Sequence, residues 1–106
     1  MKTVGVCGNI KRQSYDGFVE AARKVYNVHD FAEDIGVTTM EDIRDCEKLY
    51  VIGKAGELSN DTWDIISWAY VTGVVIIPVN YISPHTIRFK AVEFLRTFAS
   101  ALESLE

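Results

Sequence analysis

Short apolar runs alternate along the chain with longer stretches in which apolar residues recur at helical spacing. That alternation sets the element order. Residues 4–7 are a β-branched run closing on Gly8-Asn9, the pattern of a buried strand entering a turn. Behind Ser14, the residues Tyr15, Phe18, Ala22 and Val25 keep helical spacing, which predicts a helix over residues 15–25 capped by that serine. A short strand is expected over residues 26–29, an irregular stretch over 31–38, and a short helix over 40–46 capped by Thr39. Leu49-Tyr50-Val51-Ile52 reads as a further buried strand, stopping at the loop Gly53-Lys54-Ala55-Gly56. The polar group Ser59-Asn60-Asp61-Thr62 then precedes an apolar helix over residues 62–72, with Gly73 placed to end it. Residues 74–79 form the next strand. Ser83 as N-cap and Pro84 at the first helical position open a long terminal helix with Ile87, Ala91, Phe94, Phe98, Leu102 and Leu105 on one stripe. Strands alternating with helices at short spacing predict one α/β domain of three layers, an open parallel sheet of about four to five strands.

Ligands of such sheets sit outside the carboxyl ends of the strands, which directs attention to the loops over residues 7–14, 53–62 and 80–85. The first loop matches neither a dinucleotide glycine fingerprint nor a phosphate-binding lysine loop. Gly8 and Asn9 nonetheless admit close approach of a ligand to the backbone, as does Gly53 in the second loop, although a plain turn accounts for them as well. Ser59, Asn60, Asp61 and Thr62 offer hydroxyls and free N–H groups at a helix start, where an anion or a sugar hydroxyl can be received; capping alone also explains them. Glu57 and Asp64 flank that start, and paired carboxylates are what glycosyl transfer uses, so both are candidate catalytic groups. His29 and His85 lack ligand spacing, and Cys7 and Cys46 read as reduced, buried thiols, so neither a metal nor a cofactor is expected.

Composition narrows the partners. The chain has 106 residues, of which 48% are hydrophobic and 25% charged, with a net charge of −4. Disorder is excluded as the main state by this balance, and the acidic surplus offers no basic footprint for a nucleic-acid polymer or an anionic membrane. The N-terminus has no hydrophobic leader segment and the apolar run at residues 74–77 stops at Pro78, so a cytoplasmic protein is expected. A mean hydropathy of +0.05 is high for so short a chain. Much of the excess lies in the helix over residues 62–72, whose one charge is Asp64. Burial on more than one side is therefore expected, through a homo-oligomer contact made by Trp63, Ile66, Trp68, Tyr70 and the terminal helix, whose second face carries Phe89, Val92 and Leu95.

The succession VGVCGNI, EDIRDCEKLYVIG and S-x-x-T-x6-A-Y-x2-G, the last formed by Ser59, Thr62, Ala69, Tyr70 and Gly73, resembles the nucleoside 2-deoxyribosyltransferase-like superfamily over most of residues 1–80. The resemblance implies a flavodoxin/Rossmann-like sheet and a nucleoside or nucleotide as ligand. It also marks departures: Glu47 replaces an Asp, Asp61 stands where a Gly is usual, and Ile65 occupies the place of the nucleophilic Glu. An alkyl side chain cannot form a glycosyl-enzyme, so binding or sensing is expected rather than catalysis. The alternative is an N-glycosidase or deoxyribosyltransferase-like enzyme using Glu57 or Asp64, the latter about 100° around the helix from the nucleophile's place. A second alternative is an oligomeric interaction module.

Overall fold

The computed structural model describes residues 1–32, 40–79 and 82–104. Thr39, Asn80, Leu105 and the side chain of Leu102 lie outside what is described, as do residues 33–38 of the expected irregular stretch. The elements run β1 (Thr3–Gly8), α1 (Gln13–Arg23), β2 (Asn27–Asp30), α2 (Met40–Arg44), β3 (Lys48–Ile52), a 3-10 turn (Ala55–Glu57), α3 (Asn60–Thr72), β4 (Val75–Pro78) and α4 (Pro84–Glu103). The four strands form one all-parallel sheet in the order β2-β1-β3-β4. Helices cover both faces, giving the three-layer α/β architecture.

Successive strand residues point to opposite faces, and the two cores follow from that. Val6 and Ile52 pack with Tyr15 and Val19 under α1. Cys7, Leu49 and Val51 pack on the other face with Ile43 of α2, Trp63, Ile65, Ile66 and Ala69 of α3, and Ile87 of α4. Phe31, which the sequence pattern leaves in an irregular stretch, is fully buried in this second core. Room for it comes from Gly5, where a Cβ would fall 2.3 Å from the Phe31 ring.

Helix boundaries shift where capping chemistry was misassigned. The first helix begins at Gln13, with Arg12 as an N-cap that makes no side-chain capping bond, so Ser14 lies inside the first turn. Ser59 caps α3 by accepting from the Thr62 N–H at 3.2 Å, so the helix begins at Asn60, two residues before the expected start. The other two caps stand as expected: Gly73 ends α3 in the left-handed region at φ 80°, and Ser83 accepts from the Thr86 N–H at 3.1 Å.

An all-round apolar helix needs cover on several sides, and α3 obtains it from its own chain: the sheet beneath, α2 beside it and α4 along its flank. Trp63 and Ile66 are consequently buried within the single chain, and Trp68 meets Phe94 edge-on at 6.2 Å. This corrects the expectation of an intersubunit contact for Trp63 and Ile66; Trp68 is half-buried and Tyr70 is exposed. Phe89, Val92 and Leu95 of α4 remain exposed, together with Phe98. Among the described residues no helix is long and apolar enough to cross a membrane.

Both cysteines are free and buried. Burial, reinforced by Asp30, drives the Cys7 thiol far above its ordinary range, and burial next to Asp45 and Asp42 pushes Cys46 up to about 11. Neither thiol is therefore a ready nucleophile. The end of β2 is held from α1: the Tyr15 hydroxyl donates to the nearly buried Asp30 carboxylate at 2.5 Å, and the Ala32 N–H donates to the same oxygen at 3.1 Å. Replacing Tyr15 by Phe removes a donor to that carboxylate without opening a cavity. The expected cost is about 1–3 kcal/mol, read as a lowered urea midpoint with unchanged slope. An unchanged midpoint would mean that the bond contributes nothing to stability.

Candidate functional site

Two strand ends meet closely at the carboxyl edge of the sheet. Gly8 has φ 136°, a region few side chains enter, and a Cβ there would lie 2.0 Å from the Ile52 carbonyl oxygen. With the side chain absent, the Asn9 N–H reaches that same carbonyl at 2.8 Å. Asn9 then shapes the turn into α1, its side-chain oxygen accepting from the Lys11 N–H at 3.1 Å and its carbonyl from the Arg12 N–H at 3.1 Å. The loop after β3 turns the other way, through Gly53 and the 3-10 turn, to the Ser59 cap of α3. β1 and β3 are neighbours whose following helices lie on opposite faces, the arrangement that opens a crevice between their loops.

That crevice is an open cleft of about 550 Å³. Five of the seven residues read from sequence as ligand-binding line it: Gly8, Asn9, Ser59, Asp61 and Thr62. Gly53 sits beneath, facing Asn9, Leu58 and Glu57. Asn60 turns instead into a smaller groove of about 230 Å³ between α3 and α4. The sequence reading missed Ile10, Lys11, Ala32 and Leu58, which complete the cleft. Ile10 and Lys11 were in plain view in the first strand-end loop. Ala32 lies two residues beyond β2, which ends at Asp30, one residue later than the pattern predicts. The loop after β4 was also expected here, yet none of the described residues 82–85 lines the cleft.

The two candidate carboxylates are not brought together. Glu57 lines the cleft, whereas Asp64 lines the α3–α4 groove beside Trp63 and Lys90. Asp64 lies one turn further along α3 than Asp61, where α4 packs alongside. Partial burial and the neighbouring Asp61 raise the Asp64 carboxyl, which does not line the cleft. Ile65 is 2% exposed and belongs to the core beneath α3. Position 65 is thus filled by packed hydrocarbon.

Glu57 is tied down. Arg12 donates Nε to one carboxylate oxygen at 2.6 Å and Nη2 to the other at 2.5 Å. The Lys54 N–H donates at 3.2 Å and the Asn9 side chain lies close by, favouring the charged form. Led by the Arg12 hydrogen bonds, these donors hold the Glu57 carboxyl at about 2, well below the usual carboxylate range. An acid so strong holds no proton to give near neutrality, and a carboxylate with both oxygens engaged is a weak nucleophile. Glu57 therefore acts as a clamp between two loops, and the cleft around it offers hydroxyls, an amide, a cation and two aliphatic side chains. Among the described residues no group of three His, Cys, Asp or Glu could hold a metal ion.

Comparison with protein families, with curated proteins and with solved structures gives no match to this chain.

The clamp sets a pH dependence. Because the folded carboxyl titrates at about 2, below its ordinary value of 4.5, its stabilising contribution is complete above about 4.5 and is lost as the pH falls towards 2. Wild-type protein is expected to lose more stability across that window than an Arg12→Ala variant, by urea unfolding at stepped pH. Parallel curves for the two proteins would show the ion pair to be energetically silent.

Proposed function

We propose that this chain is a nucleoside- or nucleotide-binding domain of nucleoside 2-deoxyribosyltransferase-like type, one that binds its ligand without cleaving it. The observation that carries the reading is the cleft itself: it stands where β1 and β3 send their helices to opposite faces, and it is lined by the Ser59 and Thr62 hydroxyls and by Asp61. Its volume falls in the range of small-molecule sites. Ile10 and Leu58 supply apolar walls for a flat ring, while Asp61 and the hydroxyls match the donors of a sugar. The enzymatic alternative has little to draw on, since Glu57 is clamped, Asp64 faces another groove and Ile65 is core.

A panel of nucleosides and nucleotides is expected to raise the melting temperature for at least one member, with no free base released on prolonged incubation. Asp61→Ala should weaken that member roughly tenfold or more, the usual loss for a hydrogen bond to a charged group. Absence of a shift with every member would remove the reading, and release of base would replace it with the enzymatic one.

A homodimer is the companion reading, supported by α4. Phe89 and Phe98 are 57% and 55% exposed, with Val92 and Leu95 also open. Phe89, Val92 and Leu95 lie on one side of α4 and present on the order of 250 Å² of apolar surface, whereas Phe98 stands about 180° around the helix from Phe89, beside Phe94. Two copies joined about a two-fold axis would each bury that side within a polar rim. Light scattering at micromolar concentration should give twice the 11.9 kDa of one chain, falling to one chain in a Phe89→Ser/Leu95→Ser variant. A wild-type mass of one chain would exclude the dimer.

A further inference from the structure

The donors around Glu57 form a more complete set than joining two loops requires. β1 and β3 are already paired up to Gly8 and Ile52, and the Asn9 N–H to Ile52 carbonyl bond ties the loop roots together. Beyond that tie, the Arg12 fork and the Lys54 N–H converge on one carboxylate, with the Asn9 side chain beside it. A guanidinium fork with convergent N–H groups is the donor arrangement that recognises a carboxylate or a phosphate. Glu57 lines the cleft and Arg12 does not, so the carboxylate stands between the guanidinium and the ligand space. The Glu57 side chain keeps 32% of its surface in solvent, so its carboxylate can rotate into water while the turn itself stays in place, held by Ala55 and Leu58 against the core.

We infer that Arg12, Asn9 and the Lys54 N–H form an anion site that Glu57 occupies in the free chain, and that a phosphate monoester entering the cleft takes the carboxylate's place. The inference rests on the cleft-binding reading above and names the phosphate-bearing members of that ligand class. A phosphate presents the same pair of oxygens to the fork with up to twice the charge, and the displaced carboxylate swings into water, where it is fully hydrated. The exchange is anion for anion, with no covalent step. A nucleoside without phosphate leaves Glu57 in place, so the site distinguishes nucleotide from nucleoside by whether the clamp opens.

The test compares wild type, Glu57→Ala, Glu57→Gln and the double variant Arg12→Ala/Glu57→Ala, titrated with inorganic phosphate at ionic strength matched with potassium chloride. Calorimetric affinity and melting temperature are the readouts. Glu57→Ala should bind phosphate at least tenfold more tightly than wild type and recover melting temperature on its addition, while the double variant does neither. Glu57→Gln, which keeps the side chain's shape and removes its charge, should fall between wild type and Glu57→Ala, and it carries the comparison if Glu57→Ala folds poorly without phosphate. Equal phosphate affinity in wild type and both single variants, or in Glu57→Ala and the double variant, overturns the inference. A nucleoside 5′-monophosphate added to Glu57→Ala separates the sources: binding tighter than inorganic phosphate supports a nucleotide as the carrier, and equal binding supports free phosphate in the same site. Nucleoside binding by wild type with no phosphate gain in Glu57→Ala sinks this inference alone. Phosphate gain with no nucleoside or nucleotide bound by any protein supports the anion site and sinks the nucleoside reading instead.

Discussion

The contact of Gly8 with the Ile52 carbonyl governs how the rest of the molecule is placed. Side-by-side parallel strands ordinarily carry side chains to their ends, but here β1 must release the chain onto one face while β3 releases it onto the other. A side chain at position 8 would meet the β3 backbone at 2.0 Å, so only glycine lets both strands stay paired to their last residues. Two consequences follow together. The Asn9 N–H becomes available to the Ile52 carbonyl, and the loops that leave in opposite directions begin close enough for Arg12 to reach Glu57. The cleft is the space left between those departures.

The opposite face of the sheet answers a different demand. In α3, Trp63, Ile65, Ile66 and Ala69 are buried on more than one side, which a surface helix could not sustain. The cover comes from α4, whose Ile87 and Ala91 are buried and whose Phe94 meets Trp68, and from Ile43 of α2. Polarity on α3 is confined accordingly. Ser59, Asp61 and Thr62 face the cleft at its beginning, while Asp64 emerges between α3 and α4 near the Lys90 ammonium, which lies 5.9 Å over the Trp63 ring. One turn of helix thus serves two surfaces, and two carboxylates close in sequence end in separate environments.

Legibility in the sequence followed the range of the interactions. Ser83-Pro84, Gly73 and the Leu49-Tyr50-Val51-Ile52 run announce themselves, because capping, helix termination and strand burial are local chemistry. Most of the cleft lining was legible too, since strand-end loops are where an open α/β sheet binds ligands. Ser14 misled because a serine before an apolar stripe resembles a cap, whereas the turn built by Asn9 starts the helix earlier. Phe31 gave no sign because its place depends on the space vacated by Gly5 on a neighbouring strand. The Arg12–Glu57 clamp spans 45 residues, and no spacing rule pairs an arginine with a glutamate at that distance. Trp63 and Ile66 looked like an intersubunit surface because a one-helix pattern reports how much must be covered, not which helix covers it.

The clamp also decides how Glu57 can take part in function. A general acid must keep its proton near neutrality, which requires surroundings that disfavour the carboxylate. Glu57 has the reverse: a guanidinium, a backbone N–H and an amide, all favouring the charged form. Such surroundings make a good anion receptor and a poor acid, and the same donors serve either an internal carboxylate or an external anion of like shape. Ile65 is packed into the core and Asp64 lines another groove, and the cleft itself presents hydroxyls and Asp61 on the α3 side, Lys11 on the α1 side and aliphatic walls between.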